Sequence, residues 1–469
     1  MKMFLAGQWL DKQDRIEVKN PFDGSTVDTV PNADAGDVEA ALNGAVEGAA
    51  LMRRMPGFER FQILARAAEL MRGRAEDLGR TISQEEGKTF AEGKGEALRS
   101  IETIQLSAEE AKRIAGEVLP LDGAPGAAGK FGFTLRVPCG IVVAITPFNF
   151  PLNLVCHKVG PALAAGNAVI VKPATDTPLS ALKLVEILLE AGLPPQAIAC
   201  LTGSGGKLGD ALARDARVRK ISFTGSREVG EKICRAAGLK RVTLELGSNS
   251  PLIVMPDADL NKVAELAVLT GYTNAGQVCI STQRVLALDE VYGDLLDALR
   301  PKVAALKSGD PFASDVKMGP MIREADAVRV GQWIDEAVAG GARVLTGGRR
   351  QGTLFEPTLV ADVRPEMRIS CDELFGPAVA VSRVTSLDQA ISLANDTRYG
   401  LSAGIFTQNI DWALRFAREV DSGNIHVNWG PAWRADLMPY GGLKDSGFGK
   451  EGPKYAIEQM TESKTVVIH

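Results

Sequence analysis

Histidine is scarce in this sequence of 469 residues, which contains only His157, His426 and His469. The six cysteines form no C-x-x-C pair and no zinc-binding spacing. The sequence therefore predicts no metal site and argues against a hydrolase built on histidine. Because most of the cysteines stand in apolar stretches, where they behave as small buried side chains, we expect reduced thiols and a cytoplasmic protein.

Long apolar runs and blocks of like charge are also missing. No segment is apolar over the length that a bilayer requires, and Gln8, Asp11 and Lys12 interrupt an N-terminal run too short for a signal peptide. The formal net charge is -5, with both signs mixed along the chain and no basic stripe. We therefore expect neither a membrane nor a nucleic acid among the partners.

The order of predicted elements favours an α/β fold with two or three domains. Residues 34–115 show the periodicity of amphipathic helices. From Ile141 to Leu246, short apolar strands alternate with helices, and a second α/β series begins after Gly247. This alternation predicts parallel sheets covered on both faces, with ligands beyond the carboxyl ends of the strands. The tail at 464–468 has the pattern of a strand, without a partner nearby in sequence.

Three residues stand where catalytic groups are often found. Cys279 follows a predicted helix, Glu245 ends an apolar strand, and Asn149 comes directly after another. They could serve as nucleophile, general base and oxyanion donor. Each also has a structural interpretation, namely a buried cysteine, a solvated glutamate and a turn-forming asparagine. For each residue taken alone, the structural interpretation is at least as good.

Several segments could bind a phosphate, but each one alone is weak evidence for a phosphate site. Lys172 ends a strand, and the segments at 203–206 and 223–226 place glycines after strands. Backbone N–H groups at a helix N-terminus can bind phosphate. Neither the G-x-G-x-x-G pattern nor a P-loop is present.

Eight segments in fixed order change this assessment. They are TPFNFP (146–151), KPAT (172–175), FTGS (223–226), ELGSNSP (245–251), GQVC (276–279), DELFGP (372–377), YGLSAGIFT (399–407) and PYGGLKDSGFGKEG (439–452). Together they resemble the aldehyde dehydrogenase superfamily over essentially the whole chain.

The resemblance implies an α/β fold with three parts. A Rossmann-type cofactor domain would comprise residues 1–115 and 137–246, and an α/β catalytic domain would comprise 247–445. A small oligomerisation β-hairpin with the C-terminal strand, 116–136 and 446–469, would join the subunits of a homodimer or homotetramer.

It also implies a role for each candidate residue. Cys279 would attack the aldehyde, with Asn149 and the N–H of Cys279 holding the oxyanion, and Glu245 would activate the water that releases the acid. Lys172 would bind the adenine ribose, Glu373 would bind the nicotinamide ribose, and Phe375 would pack beside the nicotinamide. The rest of the cofactor groove would be formed by Thr146, Pro147, Phe148, Thr175, Gly205, Phe223, Thr224, Gly225, Ser226 and Leu246.

Two departures from the family pattern bear on cofactor and substrate. Thr175 stands where members committed to NAD often carry glutamate, which favours NADP and leaves NAD open. ELGSNSP in place of ELGGKSP resembles the branch with lactaldehyde and glyceraldehyde dehydrogenases.

The residues that would approach the aldehyde bear on the identity of the substrate. By the resemblance they are Phe150, Leu154, His157, Trp433 and Arg434. The polar pair His157 and Arg434 suits a small hydroxylated or anionic aldehyde. An equally good interpretation makes His157 a core residue and pairs Arg434 with Asp436. Uncharged Val278 and Ile280 argue against a dedicated phosphate clamp.

Other functions stay open at this point. A semialdehyde or aromatic aldehyde dehydrogenase, and a non-catalytic cofactor-binding protein, would share the same fold. Relatives that pass the acyl group to coenzyme A typically lack the glutamate base, so Glu245 favours water as acceptor. A cysteine hydrolase would not need the cofactor groove that the segments predict.

Overall fold

The computed structural model describes all 469 residues as strands, helices and connecting loops. The strands are β1 (Met3–Leu5), β2 (Gln8–Leu10), β3 (Arg15–Lys19), β4 (Thr26–Pro31), β5 (Val118–Leu119), β6 (Phe131–Pro138), β7 (Ile141–Ile145), β8 (Ala168–Lys172), β9 (Ile198–Cys200), β10 (Val218–Thr224), β11 (Arg241–Glu245), β12 (Pro251–Val254), β13 (Arg284–Leu288), β14 (Arg343–Thr346), β15 (Arg350–Gln351), β16 (Leu354–Phe355), β17 (Thr358–Ala361), β18 (Ala378–Val384), β19 (Ser402–Phe406), β20 (Asn424–Val427), β21 (Gly447–Phe448) and β22 (Thr461–Ile468). The helices are α1 (Ala35–Arg54), α2 (Gly57–Gly73), α3 (Ala75–Glu86), α4 (Phe90–Ala111), α5 (Asn153–Ala164), α6 (Leu179–Glu190), α7 (Gly205–Arg214), α8 (Arg227–Ala237), α9 (Leu260–Tyr272), α10 (Asp289–Ala304), α11 (Glu324–Ala339), α12 (Arg368–Cys371), α13 (Leu387–Asn395), α14 (Ile410–Glu419) and α15 (Pro453–Gln459).

An eight-stranded sheet carries the first half of the chain. Its strand order is β2-β1-β9-β8-β7-β10-β11-β21, and the five central strands from β9 to β11 are parallel. The chain adds strands outward on one side from β7 to β9, and on the other side from β10 to β11. The order therefore reverses between β7 and β10, which is where sheets of this class bind ligands.

Strand β7 is apolar at all five positions because both of its faces are buried. Val142 and Ala144 pack into the core beneath α2, α4, α5 and α6, whereas Ile141, Val143 and Ile145 pack into the core beneath α1, α7 and α8. Because successive side chains point to opposite faces, a strand covered on both faces places apolar side chains in two cores at once.

A seven-stranded sheet carries most of the second half. Its order is β14-β17-β18-β13-β12-β19-β20, with β14 alone antiparallel at one edge. Helices α9, α10, α11, α13 and α14 contribute side chains to its core. The predicted α/β class, with two successive parallel series, is confirmed.

A small antiparallel sheet in the order β22-β6-β5 forms the third part. The tail strand β22 pairs with β6 of the same chain over eight residues, from Thr461 opposite Pro138 to Ile468 opposite Phe131. The residues just before β22 lie elsewhere, because β21 pairs with β11 and α15 places Ile457 in the core of the first sheet.

None of the helices combines the length and the apolar composition needed to span a membrane.

Candidate active site

The loop that carries Cys279 has an unusual backbone. Three successive residues before it, Asn274, Ala275 and Gly276, have positive φ values of 52°, 52° and 68°. Gly276 is required there, since a Cβ would lie 2.1 Å from the carbonyl oxygen of Gly376. Left-handed conformations at non-glycine residues cost about 1–3 kcal/mol each and persist only when the surroundings hold them. Other elements must therefore fix this loop.

Acidic residues near α3 and α4 supply that support. The N–H of Asn274 donates to Glu92 Oε1 at 2.8 Å, and its side-chain amide donates to Glu86 Oε1 at 2.8 Å. The same amide also donates to the carbonyl oxygen of Asn149 at 3.2 Å. The loop of Cys279 is thus joined to the loop of Asn149.

The buried ion pair of Lys88 and Glu96 fixes the Asn149 loop from the other side. Lys88 Nζ lies 2.8 Å from Glu96 Oε2 and donates to the carbonyl oxygen of Asn149 at 2.7 Å. Glu96 Oε1 accepts the N–H groups of Leu152 and Asn153, where α5 begins. Negative charge is favourable at a helix N-terminus, so one carboxylate both starts α5 and positions the preceding loop.

Two cavities meet at Cys279. The first cavity, of about 350 Å³, lies on the side of Glu245 and Tyr440. The second cavity, of about 650 Å³, lies at the carboxyl ends of β7, β10 and β11, on the side of Glu373. Cys279, Leu154 and Thr224 line both. Cys279 therefore borders both spaces.

Glu245 presents a buried carboxyl group to the first cavity. Its side chain is buried at the end of β11, and neither oxygen has a hydrogen-bond partner in the protein. Burial, followed by repulsion from Glu451, raises its pKa well above the ordinary value. A carboxylate in this position has a strong affinity for a proton, which suits a general base.

Glu451 has the opposite electrostatic state. Although burial opposes its ionisation, Lys158 at 2.7 Å and Arg434 at 3.0 Å hold its pKa below the ordinary value. Glu451 is thus a fixed anion beside Glu245. The two carboxyl groups differ because only Glu451 has cationic partners.

Cys279 lies buried beside Tyr440 and the loop of Asn149. Burial raises the pKa of its thiol to about 12, and the hydroxyl of Tyr440 lies 3.3 Å from Sγ. Asn149 Nδ2 donates to the carbonyl oxygen of Gln277 at 2.8 Å, which holds this amide next to the cysteine loop. The three predicted catalytic residues, Cys279, Glu245 and Asn149, therefore line one pair of adjoining cavities.

The second cavity has features that fit a dinucleotide. Glu373 accepts the N–H of Ser248 at 3.0 Å, and burial raises its pKa to about 7. A Cβ at Gly247 would lie 2.2 Å from the carboxyl group of Glu373, so glycine allows this approach. Phe375 meets Phe148 edge to face, with ring centroids 6.0 Å apart. The wall also includes six other residues predicted for the cofactor or beside it, Pro147, Asn149, Thr224, Gly225, Ser226 and Leu246.

The other predicted cofactor residues lie outside this cavity, at or near the carboxyl edge of the same sheet. Buried Lys172 ends β8 and donates to the carbonyl oxygen of Pro173 at 2.5 Å, and burial lowers its pKa to about 8. Thr175 donates to the carbonyl oxygen of Gly203 at 3.0 Å, and Gly205 begins α7. Thr146 has a buried hydroxyl without a partner, and Phe223 packs beneath Gly225.

On the substrate side, four of the five predicted residues line the first cavity. They are Phe150, Leu154, Trp433 and Arg434. His157 does not line it. Its ring is buried between Asp436, 2.9 Å from Nε2, and Arg434, 3.0 Å from Nδ1. This placement agrees with the alternative of a core histidine, whereas the main carboxylate partner of Arg434 is Glu451 and not Asp436.

Sequence reasoning did not single out Arg99, Lys158, Tyr440 and Glu451. Arg99 lies on α4 and lines the first cavity, where it donates to Asp436 at 2.8 Å. Nothing in an amphipathic helix marks one arginine as facing a cavity. Tyr440 and Glu451 lie inside the motif at 439–452, but a motif does not show which of its side chains reach the sulfur.

The family described as "Aldehyde dehydrogenase family" matches residues 9–466. The chain belongs to the aldehyde dehydrogenase family. A 3-sulfolactaldehyde dehydrogenase of Priestia aryabhattai is 45% identical over 100% of this chain and 98% of the relative. A lactaldehyde dehydrogenase of Methanococcus aeolicus is 36% identical over the whole of both chains. The structure of glyceraldehyde-3-phosphate dehydrogenase GapN from Methanocaldococcus jannaschii, complexed with NADP, superimposes with a TM-score of 0.94 at 35% identity, over 98% of this chain and 100% of that one.

This aldehyde dehydrogenase is thus an NAD(P)-dependent oxidoreductase, and the predicted family and fold class are confirmed. The roles of single residues stay predictions. The geometry that supports them is the meeting of Cys279, Glu245 and Glu373 around two cavities.

The buried His157 of this aldehyde dehydrogenase generates a prediction about pH and stability. Burial, followed by Arg434, lowers its pKa to about 4 from an ordinary value of 6.5. Between these two values the unfolded chain binds the proton more readily, so stability must fall as the pH decreases from 6.5 towards 4. The shift corresponds to about 3 kcal/mol.

We expect the melting temperature of His157→Gln, whose amide is polar but does not titrate, to fall less than that of the wild type between pH 7 and pH 4.5. The exposed His469→Gln serves as the control and should follow the wild type. Parallel melting profiles for His157→Gln and the wild type would contradict the assignment.

Proposed function

We propose that this enzyme oxidises a short, hydroxylated aldehyde to the carboxylic acid, with Cys279 as nucleophile. The observation that carries the proposal is the position of Cys279 at the meeting of the two cavities. Such a reaction needs the aldehyde on one side of the sulfur and the dinucleotide on the other. A cysteine hydrolase would need only one of these spaces.

The residues suit each step of the reaction. Cys279 sulfur bonds to the aldehyde carbon, and Asn149 Nδ2 would donate to the oxyanion that forms. Bound NAD(P)+ would accept the hydride that leaves the former aldehyde carbon, and the bond of this carbon to sulfur would then be that of a thioester. Glu245 then takes a proton from water, whose oxygen attacks the thioester and frees the acid and the thiol. The absence of a partner on either Glu245 oxygen leaves them available to water.

The second cavity and the sheet edge beyond it would hold the dinucleotide. Glu373 would bind the nicotinamide ribose, Ser226 at the start of α8 would face the pyrophosphate, and Lys172 would bind the adenine ribose. A glutamate at position 175 would repel a 2′-phosphate, but Thr175 is neutral. We therefore propose a preference for NADP over NAD, which the NADP complex of the Methanocaldococcus enzyme supports.

The first cavity would hold the aldehyde. Its small volume of about 350 Å³, with walls that include Phe150, Leu154 and Trp433, favours a short carbon chain. Lactaldehyde and 3-sulfolactaldehyde, after which the two relatives are named, are both three-carbon 2-hydroxyaldehydes. They differ in that only 3-sulfolactaldehyde carries a terminal anion.

Arg99 and Arg434 favour the anionic member of this pair. Both line the first cavity, and the Arg99 side chain is 40% exposed. Asp436 occupies two of the five N–H donors of Arg99, at 2.8 and 3.4 Å, so donors remain for a ligand. We propose that the substrate ends in a sulfonate or a carboxylate bound near these guanidinium groups.

The reaction is tested by following reduced-cofactor absorbance with NAD and NADP. The aldehydes are lactaldehyde, glyceraldehyde, glycolaldehyde, 3-sulfolactaldehyde, succinic semialdehyde and benzaldehyde. We expect Cys279→Ala to lower kcat at least about a thousandfold, because the covalent route is lost. Glu245→Gln should lower steady-state kcat about a hundredfold or more while a burst of reduced cofactor remains, because acylation precedes the step that needs the base.

Cys234→Ala, which removes a half-buried thiol on α8, is the matched control and should retain full activity. Retained turnover in Cys279→Ala would refute the proposed function. Faster turnover of benzaldehyde than of any three-carbon aldehyde would refute the proposed substrate class.

Arg99→Gln tests the anionic tail. We expect the KM for 3-sulfolactaldehyde to rise about tenfold or more, since a charge-assisted hydrogen bond contributes about 1.5–3 kcal/mol. The KM for lactaldehyde should change less than about threefold, because lactaldehyde has no anion to lose contact with. Lys94→Gln removes the same charge from an exposed position of α4 outside the cavity and is the control. Equal effects on both aldehydes would show that Arg99 does not bind the tail.

We also propose that the small sheet joins copies of this chain. Its outer strand β22 pairs on one side only, and the sheet exposes Val118, Phe131, Leu135 and Ile468. Unpaired strand edges with apolar side chains favour pairing with another chain. Light scattering at micromolar concentration should give at least twice the mass of one chain, and a monomer would contradict this proposal.

A further inference from the structure

The hydroxyl of Tyr440 has one polar neighbour in the protein, the sulfur of Cys279. Oη and Sγ are 3.3 Å apart, within the range of a hydrogen bond that involves sulfur. The Tyr440 side chain is 4% exposed and lines the first cavity. A buried tyrosine hydroxyl normally requires a hydrogen-bond partner, and here that partner is the proposed nucleophile.

The position of Tyr440 is fixed by Glu451. The two residues exchange backbone hydrogen bonds, with the N–H of Glu451 donating at 2.7 Å and the N–H of Tyr440 donating at 3.2 Å. The side chain of Glu451 is in turn held by Lys158 and Arg434. The ring therefore cannot move away from the sulfur without disturbing a buried ion network.

Arg434 also acts on the ring directly. Its guanidinium carbon lies 4.1 Å from the centroid of the Tyr440 ring, and its side chain is 7% exposed. A cation over an aromatic face draws on the electron density of the ring. A phenol under a guanidinium is therefore a stronger hydrogen-bond donor than an isolated one.

We propose that Tyr440 donates its hydroxyl proton in a hydrogen bond to Cys279 sulfur and so stabilises the thiolate form of the nucleophile. The proposal rests on the proposed role of Cys279. It involves no covalent step, because the thiol proton passes to solvent on ionisation and Tyr440 keeps its own proton. Tyr440 thus acts on the reacting atom, in addition to Asn149 and Glu245.

The direction of this hydrogen bond determines whether it stabilises the thiolate or the protonated thiol of Cys279. A hydroxyl that donates to sulfur favours the thiolate, whereas a hydroxyl that accepts from the thiol favours the protonated form. Burial opposes ionisation of Cys279, and it raises the pKa of the Tyr440 hydroxyl well above its ordinary value, so Tyr440 keeps its proton at neutral pH. A tyrosine that keeps its proton is available as a donor whenever the thiol ionises.

The test measures the ionisation of Cys279 without turnover. The purified full-length enzyme is alkylated with iodoacetamide from pH 6 to pH 10.5, and mass spectrometry follows the Cys279 peptide. In Tyr440→Phe we expect the rate profile to shift upward by about one pH unit, or the rate to fall about tenfold at each pH if no plateau is reached. Because only the thiolate reacts, this rate reports the thiolate fraction.

Controls separate the hydrogen bond from effects of packing. Cys234 and Cys371 in the same sample should react at unchanged rates in Tyr440→Phe, since both lie outside the two cavities. Replacing Tyr440 with 3-fluorotyrosine, a stronger donor of nearly the same shape, should shift the profile downward.

In Tyr440→Phe, a rate profile that is unchanged or shifted to lower pH would overturn the proposal. A shift to lower pH would show that Tyr440 accepts the thiol proton. A shift of the rate profile to higher pH in the enzyme that contains 3-fluorotyrosine would also overturn the proposal. These outcomes are distinct from failure of the proposed function, which would appear as turnover surviving in Cys279→Ala. In the assay, Tyr440→Phe should lower kcat about tenfold with little change in KM, as expected for a group that acts on the nucleophile.

Discussion

The position of Cys279 depends on a backbone conformation that its own loop cannot maintain. Residues 274–276 adopt positive φ in succession, and they are held by hydrogen bonds to Glu86 and Glu92 and by the close approach of Gly376. The support comes from α3 and α4 in the first half of the chain and from Gly376 in the second half. Both halves of the chain must therefore fold before the sulfur of Cys279 takes its position.

Electrostatic contrast organises the rest of the site. Glu245 is buried without a cationic partner and retains affinity for a proton, whereas nearby Glu451 is kept ionised by Lys158 and Arg434. Two carboxyl groups in one region thus have different chemical uses because of their neighbours alone. Arg434 contributes twice, since it compensates Glu451 and also covers the ring of Tyr440.

Local sequence was a better guide to the two α/β series than to the strands near the N-terminus. Strands β7, β8 and β18 lie in the two predicted α/β series, which their largely apolar composition indicated. Strands in the first 31 residues were not predicted. One of them, β3, is largely exposed, and three of its five residues are charged. Its sequence pattern therefore does not indicate a strand.

Only those residues of the candidate site that lie in recognisable motifs could be predicted from the sequence. The segments around Cys279, Glu245 and Glu373 indicated the cavities that these residues line. The position of His157 away from the first cavity, and that of Arg99 on its wall, depend on how α4 and α5 pack against residues more than 270 positions later. Such contacts form only in the tertiary fold, and they cannot be predicted from any single segment of the sequence.

The shared wall of the two cavities also bears on how such an enzyme can change. Arg99 and Trp433 line only the first cavity, while Glu373 and Phe375 line only the second, and the two sets come from different elements. A substitution in one set leaves the other set in place. Under the proposed assignment of the two cavities, substitutions in the first cavity change the space for the aldehyde and touch no residue that lines the cofactor cavity alone, which makes this architecture readily adaptable to unfamiliar metabolites.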